Sequence, residues 1–183
     1  MNPLLQAILI GSNDEVRRLL QKIPLDDQNN LLCQSALHLA VSRPQHVELL
    51  LASGADVNAR DRHGMTPLMY ATATGNSSVA KNLFIAGANP FLRDTLYTRS
   101  ALTFARFQGH WDTLMELFGF IKGFGEVNEP SIRFYLGLGA LLSITGDQFE
   151  RKELHLQDFL EWGADPNFVY GGNQRSVTLA TLL

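Results

Sequence analysis

The chain repeats itself at a period near 33 residues, and that periodicity limits its fold more than any single motif does. Three segments close on nearly the same phrase: LLLASGADVN at 49–58, LFIAGANP at 83–90 and FLEWGADPN at 159–167. Gly54 and Gly87 lie 33 residues apart, and Gly87 and Gly163 lie 76 apart, two such periods plus ten. A second phrase recurs upstream. Ser35-Ala36-Leu37-His38-Leu39-Ala40 matches Thr66-Pro67-Leu68-Met69-Tyr70-Ala71, and both match Ser100-Ala101-Leu102-Thr103-Phe104-Ala105. The alanines Ala7, Ala40, Ala71 and Ala105 are spaced by 33, 31 and 34 residues. Four residues after three of them stands a glycine: Gly11, Gly75 and Gly109. Self-similarity at this period means a small supersecondary unit stacked on copies of itself.

Each unit has a physical reading. Thr66 is a helix N-cap, and Pro67 takes the first helical position, where its missing N–H costs nothing. Leu68 and Ala71 share one face of a short helix that Gly75 ends. Val79, Leu83 and Phe84 then recur at helical spacing and predict a second helix, which Gly87 stops. The first helix carries small residues, Ala71 and Ala73, where a neighbouring helix comes close. One such pair cannot cover its own apolar face, so the pairs must stack. The expected fold class is therefore all-α, a solenoid of helix-turn-helix units.

The pattern resembles the ankyrin repeat. Residues 54–87 carry the resemblance best, through Gly54-Ala55-Asp56-Val57-Asn58, Gly64, Thr66-Pro67-Leu68, Ala71, Gly75-Asn76 and Gly87-Ala88-Asn89. It covers nearly the whole chain with decreasing strength, as a single domain over 1–183 of about five units. A half-repeat or cap is read at 1–29 and good repeats at 30–60 and 61–93. A decayed repeat follows at 94–130, an expanded one at 131–167 and a partial one at 168–183. Two residues are missing around Arg43-Pro44, which predicts a tighter inter-helix turn and a second helix beginning at Pro44. Residues 131–158 read as a helical hairpin without Thr-Pro-Leu. The closing SVTLATLL reads as an apolar helix start without a partner; the expectation is a fragment of a longer protein or a last helix that packs on something else, with a natural single-helix cap as the alternative.

Composition excludes several function classes. The net charge of −3 and the scattered basic residues do not offer the clustered Lys and Arg that phosphate backbones require. No apolar run approaches the roughly 18 residues of a membrane span. The single cysteine, Cys33, permits no intrachain disulfide and fits an intracellular setting, cytoplasmic or nuclear. No P-loop and no Gly-x-Ser-x-Gly elbow occurs. Gly123-Phe-Gly125 and Gly137-Leu-Gly139 lack the third glycine of a dinucleotide site, and Asp26-Asp27 reads as a solvated loop. The five histidines show no metal-binding spacing. His38 and His110 occupy positions that the resemblance makes structural, His46 and His155 fall on second helices at solvent or the core edge, and His63 lies on a loop tip. No catalytic residue, metal, cofactor, nucleic acid or small-molecule substrate is expected.

The resemblance implies a protein partner held by projecting loops and by a groove that the first helices line. Carried over by motif, the contact positions are Arg60, Arg62, His63, Met65, Ala73 and Thr74 in the best repeat. The next repeat supplies Arg93, Leu96, Tyr97, Arg99, Phe107 and Gln108, and the preceding one Leu31, Leu32, Gln34, Ser42 and Arg43. Arginine and aromatic side chains concentrate binding energy at interfaces. The arginines suit partner carboxylates. The apolar stretch 118–124 is a second candidate, for which core packing is the simpler explanation.

Overall fold

A computed structural model describes residues 3–23, 25, 31–123, 169–170 and 177–178. It divides into two compact units, 1–117 and 118–183, with the boundary inside a helix.

The first unit is built from helix pairs. They are α1 (Pro3–Ile10) with α2 (Asn13–Leu20), α3 (Ala36–Ala40) with α4 (Pro44–Ala52), and α5 (Pro67–Ala73) with α6 (Ser77–Ile85). α7 (Ala101–Phe107) leads into α8 (Trp111–Gly123). First helices pack on first helices and second helices on second helices, so the pairs form two layers. Residues 1–29 thus hold a complete helix pair rather than half of one.

The periodic residues sit where the layers need them. Ala7, Ala40, Ala71 and Ala105 are all buried. Without bulk beyond Cβ they let adjacent first helices approach closely. Leu37, Leu68 and Leu102, and on the second helices Val16, Val47, Leu50, Val79 and Leu83, fill the space between the layers. Helix starts follow the sequence: the Thr66 hydroxyl accepts from Met69 N–H, and Ser100 and Asn76 cap α7 and α6 in the same way. Each such cap contributes about 1 kcal/mol.

The two-residue deletion does not tighten a turn. Three residues join α3 to α4 (41–43), α5 to α6 (74–76) and α7 to α8 (108–110) alike. The loss is taken from α3, which has 5 residues where α5 and α7 have 7. Pro44 begins α4 as expected, and its fixed φ anchors that start so that only the helix before it can shorten.

Residues 118–183 form the second unit, which shares α8 with the first. A two-residue antiparallel pair joins β1 (Val169–Tyr170) to β2 (Val177–Thr178), with Val169 opposite Thr178. At Val177–Thr178 this replaces the apolar helix start expected over 176–183, whose other residues lie outside the described ones. Val177 and Thr178 are β-branched and favour a pleated strand over a helix start. The hairpin expected at 131–158, His155 and the repeat register over 124–158 lie outside the described residues, as do Asp26-Asp27, Phe124-Gly125 and Gly137-Leu-Gly139.

Among the described residues five glycines hold left-handed backbone, and Gly75 shows why. Its φ is +69°, and a methyl group there would lie 2.6 Å from His110 Nδ1. Residue 64 and its equivalents 33 and 98 share a second left-handed position. Gly64 fills it at φ +71°, but Cys33 (+53°) and Thr98 (+54°) fill it elsewhere. A side chain there costs about 1–2 kcal/mol, and Thr98 is β-branched as well. Replacing Thr98 by Gly is expected to raise the unfolding free energy by about 1 kcal/mol, and Gly75→Ala to lower it by about 2 kcal/mol or more. Urea denaturation of the two variants checks both signs.

Candidate functional site

The loops between units, 59–66 and 91–100, project as fingers, and each is folded around a buried carboxylate. Asp61 Oδ1 accepts the N–H groups of His63 (2.8 Å) and Met65 (2.9 Å), while its Oδ2 accepts the Tyr70 hydroxyl at 2.9 Å. Asp94, one period later, accepts from Tyr97 and Arg99 N–H and pairs with Arg99 Nε at 3.4 Å. Asp61 and Asp94 are 5% and 3% exposed. A desolvated carboxylate needs several donors, and here the finger's own amides supply them. The sequence patterns above assign neither aspartate a role. Their 33-residue spacing was the available signal.

Successive fingers are tied to each other. Arg62 N–H donates to Leu32 O at 2.8 Å and Thr95 N–H to His63 O at 2.8 Å. Arg62 Nη1 donates to Leu31 O (3.1 Å), and Arg60 Nη2 to Arg93 O (2.6 Å). Arg93 Nη1 reaches Thr98 O within its own finger. Of the four finger arginines assigned to contact, three thus grip main-chain carbonyls, and the fourth, Arg99, holds Asp94 and lies over the rings of Tyr97 (4.2 Å) and Phe104 (4.6 Å). They order the fingers before anything binds.

The opposite edge of the stack is tied too. The residue before each second helix reaches back to the preceding unit. Arg43 Nη1 donates to Gly11 O, Asn76 Nδ2 to Val41 O and His110 Nε2 to Ala73 O, at 3.3, 2.9 and 3.2 Å. Arg43 therefore acts as a staple here, where the sequence had placed it among the contacts. Its equivalence to Asn76 and His110 was hidden because three different side chains do one job.

Buried histidines add further ties. His38 Nε2–H donates to Met65 O at 2.8 Å, while Nδ1 accepts from Ser35 at 3.1 Å from its N–H and 2.8 Å from its hydroxyl. Its ring meets the Tyr70 ring edge-on at 5.4 Å. Burial pushes the His38 pKa below its ordinary 6.5, opposed by the Met65 hydrogen bond and by Asp61 and Asp56. The Tyr70 phenol is pushed up by burial and by its bond to Asp61. Of the two places the sequence left open for His46, solvent or the core edge, the structure puts it on the core side. It is 1% exposed, with Nδ1 3.0 Å from Ile8 O, and joins α4 to α1 instead of facing solvent.

The remaining contact positions separate by exposure. Leu31 (90%), Tyr97 (67%), Phe107 (64%) and Leu96 (58%) are large apolar groups in water. Thr74 and Gln108 are the exposed C-caps of α5 and α7, and Ser42 is exposed in the turn after α3. His63 and Met65 are half-buried. Gln34 donates to the Tyr70 hydroxyl at 3.0 Å, inside the network. A cleft of about 360 Å³ lies between the C-terminal ends of α3 and α5, lined by His38, Leu39, Ser42, Tyr70 and Thr74 among others. Cys33 is exposed in its loop. In the stretch 118–124, Phe118 and Ile121 are buried on α8. Among the described residues no group of three or more His, Cys, Asp or Glu is placed to hold a metal ion, and no helix is long and apolar enough to cross a membrane.

A family model described as ankyrin repeats, in three copies, matches residues 4–94. Residues 4–94 are ankyrin repeats. Relatives of these repeats occur in very different proteins. One is an ADP-ribosylation factor GTPase-activating protein of Arabidopsis thaliana, 48% identical over 62 residues, which are 33% of this chain and 8% of that protein. Another is a probable E3 ubiquitin-protein ligase of Oryza sativa subsp. japonica, 36% identical over 111 residues, 58% of this chain and 22% of that protein. The mitochondrial disaggregase of Bos taurus is 54% identical over 50 residues, 27% of this chain and 7% of that protein. The chain spans less than a quarter of the length of each. Ankyrin repeats are a protein-interaction fold.

Two consequences are measurable. His38 has a folded pKa below 6.5, so the unfolded state binds more protons under mildly acidic conditions. The stability is whole above 6.5 and declines as pH falls from there through the folded pKa. Urea midpoints taken between about pH 7.5 and 5.5 should fall in the wild type and fall less in His38→Gln. Asp61→Ala should lower the unfolding free energy by about 2–3 kcal/mol, because several buried donors lose their acceptor together. A loss no larger than that of an ordinary surface substitution would contradict the finger's dependence on Asp61.

Proposed function

We propose that this chain binds another protein through the fingers and the exposed ends of the first helices, and that it does so without catalysis. The carrying observation is that Leu96, Tyr97 and Phe107 stand exposed on a framework already ordered by hydrogen bonds. Aromatic side chains held in place contribute area at low entropic cost, and a preordered loop loses little freedom on binding. The proposed contact set is Arg60, Arg62, His63, Met65, Thr74, Arg93, Leu96, Tyr97, Arg99, Phe107 and Gln108. The arginines act there with their staples intact.

A second reading makes the repeats the regulatory or scaffold part of a longer polypeptide. The relatives favour it, since the matched segment is a small fraction of each. Immunoblotting of source cells separates the two readings. A band at 20.3 kDa supports a free-standing module, and a larger one supports the longer protein.

Photo-crosslinking tests the surface itself. A photoreactive phenylalanine analogue is placed at Tyr97, at Phe107 or, on the second-helix layer, at Ile85, which is 59% exposed. Discrete protein adducts are expected from positions 97 and 107 and not from 85. Equal adducts from all three positions, or none from any, would defeat the reading.

A further inference from the structure

We infer that the finger face takes an extended, acidic segment of its protein partner, one that carries apolar side chains between its carboxylates. This rests on the reading of that face as the interaction surface, and what it adds is the partner's chemistry.

Charge is sorted by layer. Among the described residues, the exposed charges on the fingers 59–66 and 91–100 and on the first helices are all arginine: Arg60, Arg62 and Arg93, with Arg99 and Arg106 partly exposed. The carboxylates in the same segments, Asp61 and Asp94, are buried and saturated by finger amides. Acidic side chains in water lie instead on the second helices, at Asp14, Glu15, Glu48, Asp112 and Glu116, mixed with Arg17, Arg18 and Lys81. Asp56 stands at the turn between α4 and its finger, accepting from Asn58 N–H. In a chain of net charge −3, this leaves one positive face.

The arginines are fixed there without being neutralised. Arg60, Arg62 and Arg93 each spend an N–H on a main-chain carbonyl, which has no net charge. Only Arg99 meets a carboxylate among the described residues. A guanidinium has five donors, so each keeps hydrogen-bonding capacity for an incoming carboxylate. The order imposed by the carbonyls lowers the entropic cost of that pairing. Leu31, Leu96, Tyr97 and Phe107 stand among these charges with large apolar surfaces in water. A chain bearing only charge would leave them exposed, and a chain bearing only apolar groups would leave the guanidiniums desolvated and unpaired. Carboxylates alternating with apolar side chains satisfy both. The aliphatic side chains favour a polypeptide over stacked nucleic-acid bases.

Fluorescence anisotropy on the full chain tests this with four labelled probes. They are a dodecapeptide alternating Glu or Asp with Leu and Trp, its Gln and Asn counterpart, a short DNA duplex and phosphatidylserine vesicles. The acidic peptide should bind at least about tenfold more tightly than its amide counterpart, and more weakly as salt rises. Arg62→Glu/Arg93→Glu should weaken it by about tenfold or more, Arg62→Lys/Arg93→Lys much less, and Glu48→Lys on α4 not at all. Thermal unfolding of each variant accompanies the titration, and the Lys variant separates lost charge from a lost staple. Equal affinity for the amide peptide, or tighter binding of DNA or vesicles, would overturn the inference. If crosslinks at positions 97 and 107 persist in that case, the interaction surface stands and only the acidic preference falls.

Discussion

A pair of helices of five to nine residues cannot bury its own apolar face, and the structure of the described residues up to 117 follows from that constraint. Stacking is the remedy, and it works only where first helices come close. The buried alanines Ala7, Ala40, Ala71 and Ala105 make the approach possible at each junction. Stacking then places polar main chain of neighbouring units side by side along both edges, and those groups need partners. On one edge the fingers bond to each other through Arg62 and Thr95 amides. On the other, Arg43, Asn76 and His110 reach back across the junction. The hydrogen bonds fix the register that the apolar contacts alone leave loose.

The same ties make the surface suitable for recognition. A finger of eight or ten residues has no apolar core of its own. Asp61 and Asp94 serve in place of one, gathering amides around a desolvated carboxylate. Arg60, Arg62 and Arg93 then join finger to finger. Exposed Leu96, Tyr97 and Phe107 are consequently presented on ordered backbone rather than on loose loops. The recognition role proposed for these arginines coincides with their structural one, so a mutation there cannot be read as pure loss of contact without a stability control.

Much of the fold was legible in the sequence because periodic alanines, leucines, Thr-Pro and turn glycines report directly on helix packing and helix ends. The deletion near Arg43 was visible, but its location was not. Sequence spacing cannot say whether a helix or a turn absorbs two missing residues, and Pro44 decides it in favour of the helix. The staples within the fingers went unseen, since an arginine bonded to a carbonyl looks in sequence like one waiting for a partner. The Arg43, Asn76 and His110 equivalence was invisible because hydrogen bonding tolerates any long donor there. Thr98 and Cys33 break the glycine rule at their turns, so no motif marked their left-handed backbone. At Val177–Thr178 apolar content misled, since β-branching decided between strand and helix.

The central claim is that the recognition surface is ordered before a partner arrives. Amide hydrogen exchange on the protein alone tests it most directly. The amides of Arg62, Met65 and Thr95, which bond to Leu32 O, Asp61 Oδ1 and His63 O, should be protected to a degree comparable with those inside α5. Exchange of these three at the rate of an open loop, while α5 stays protected, would show that the fingers are ordered only by binding and would contradict the account.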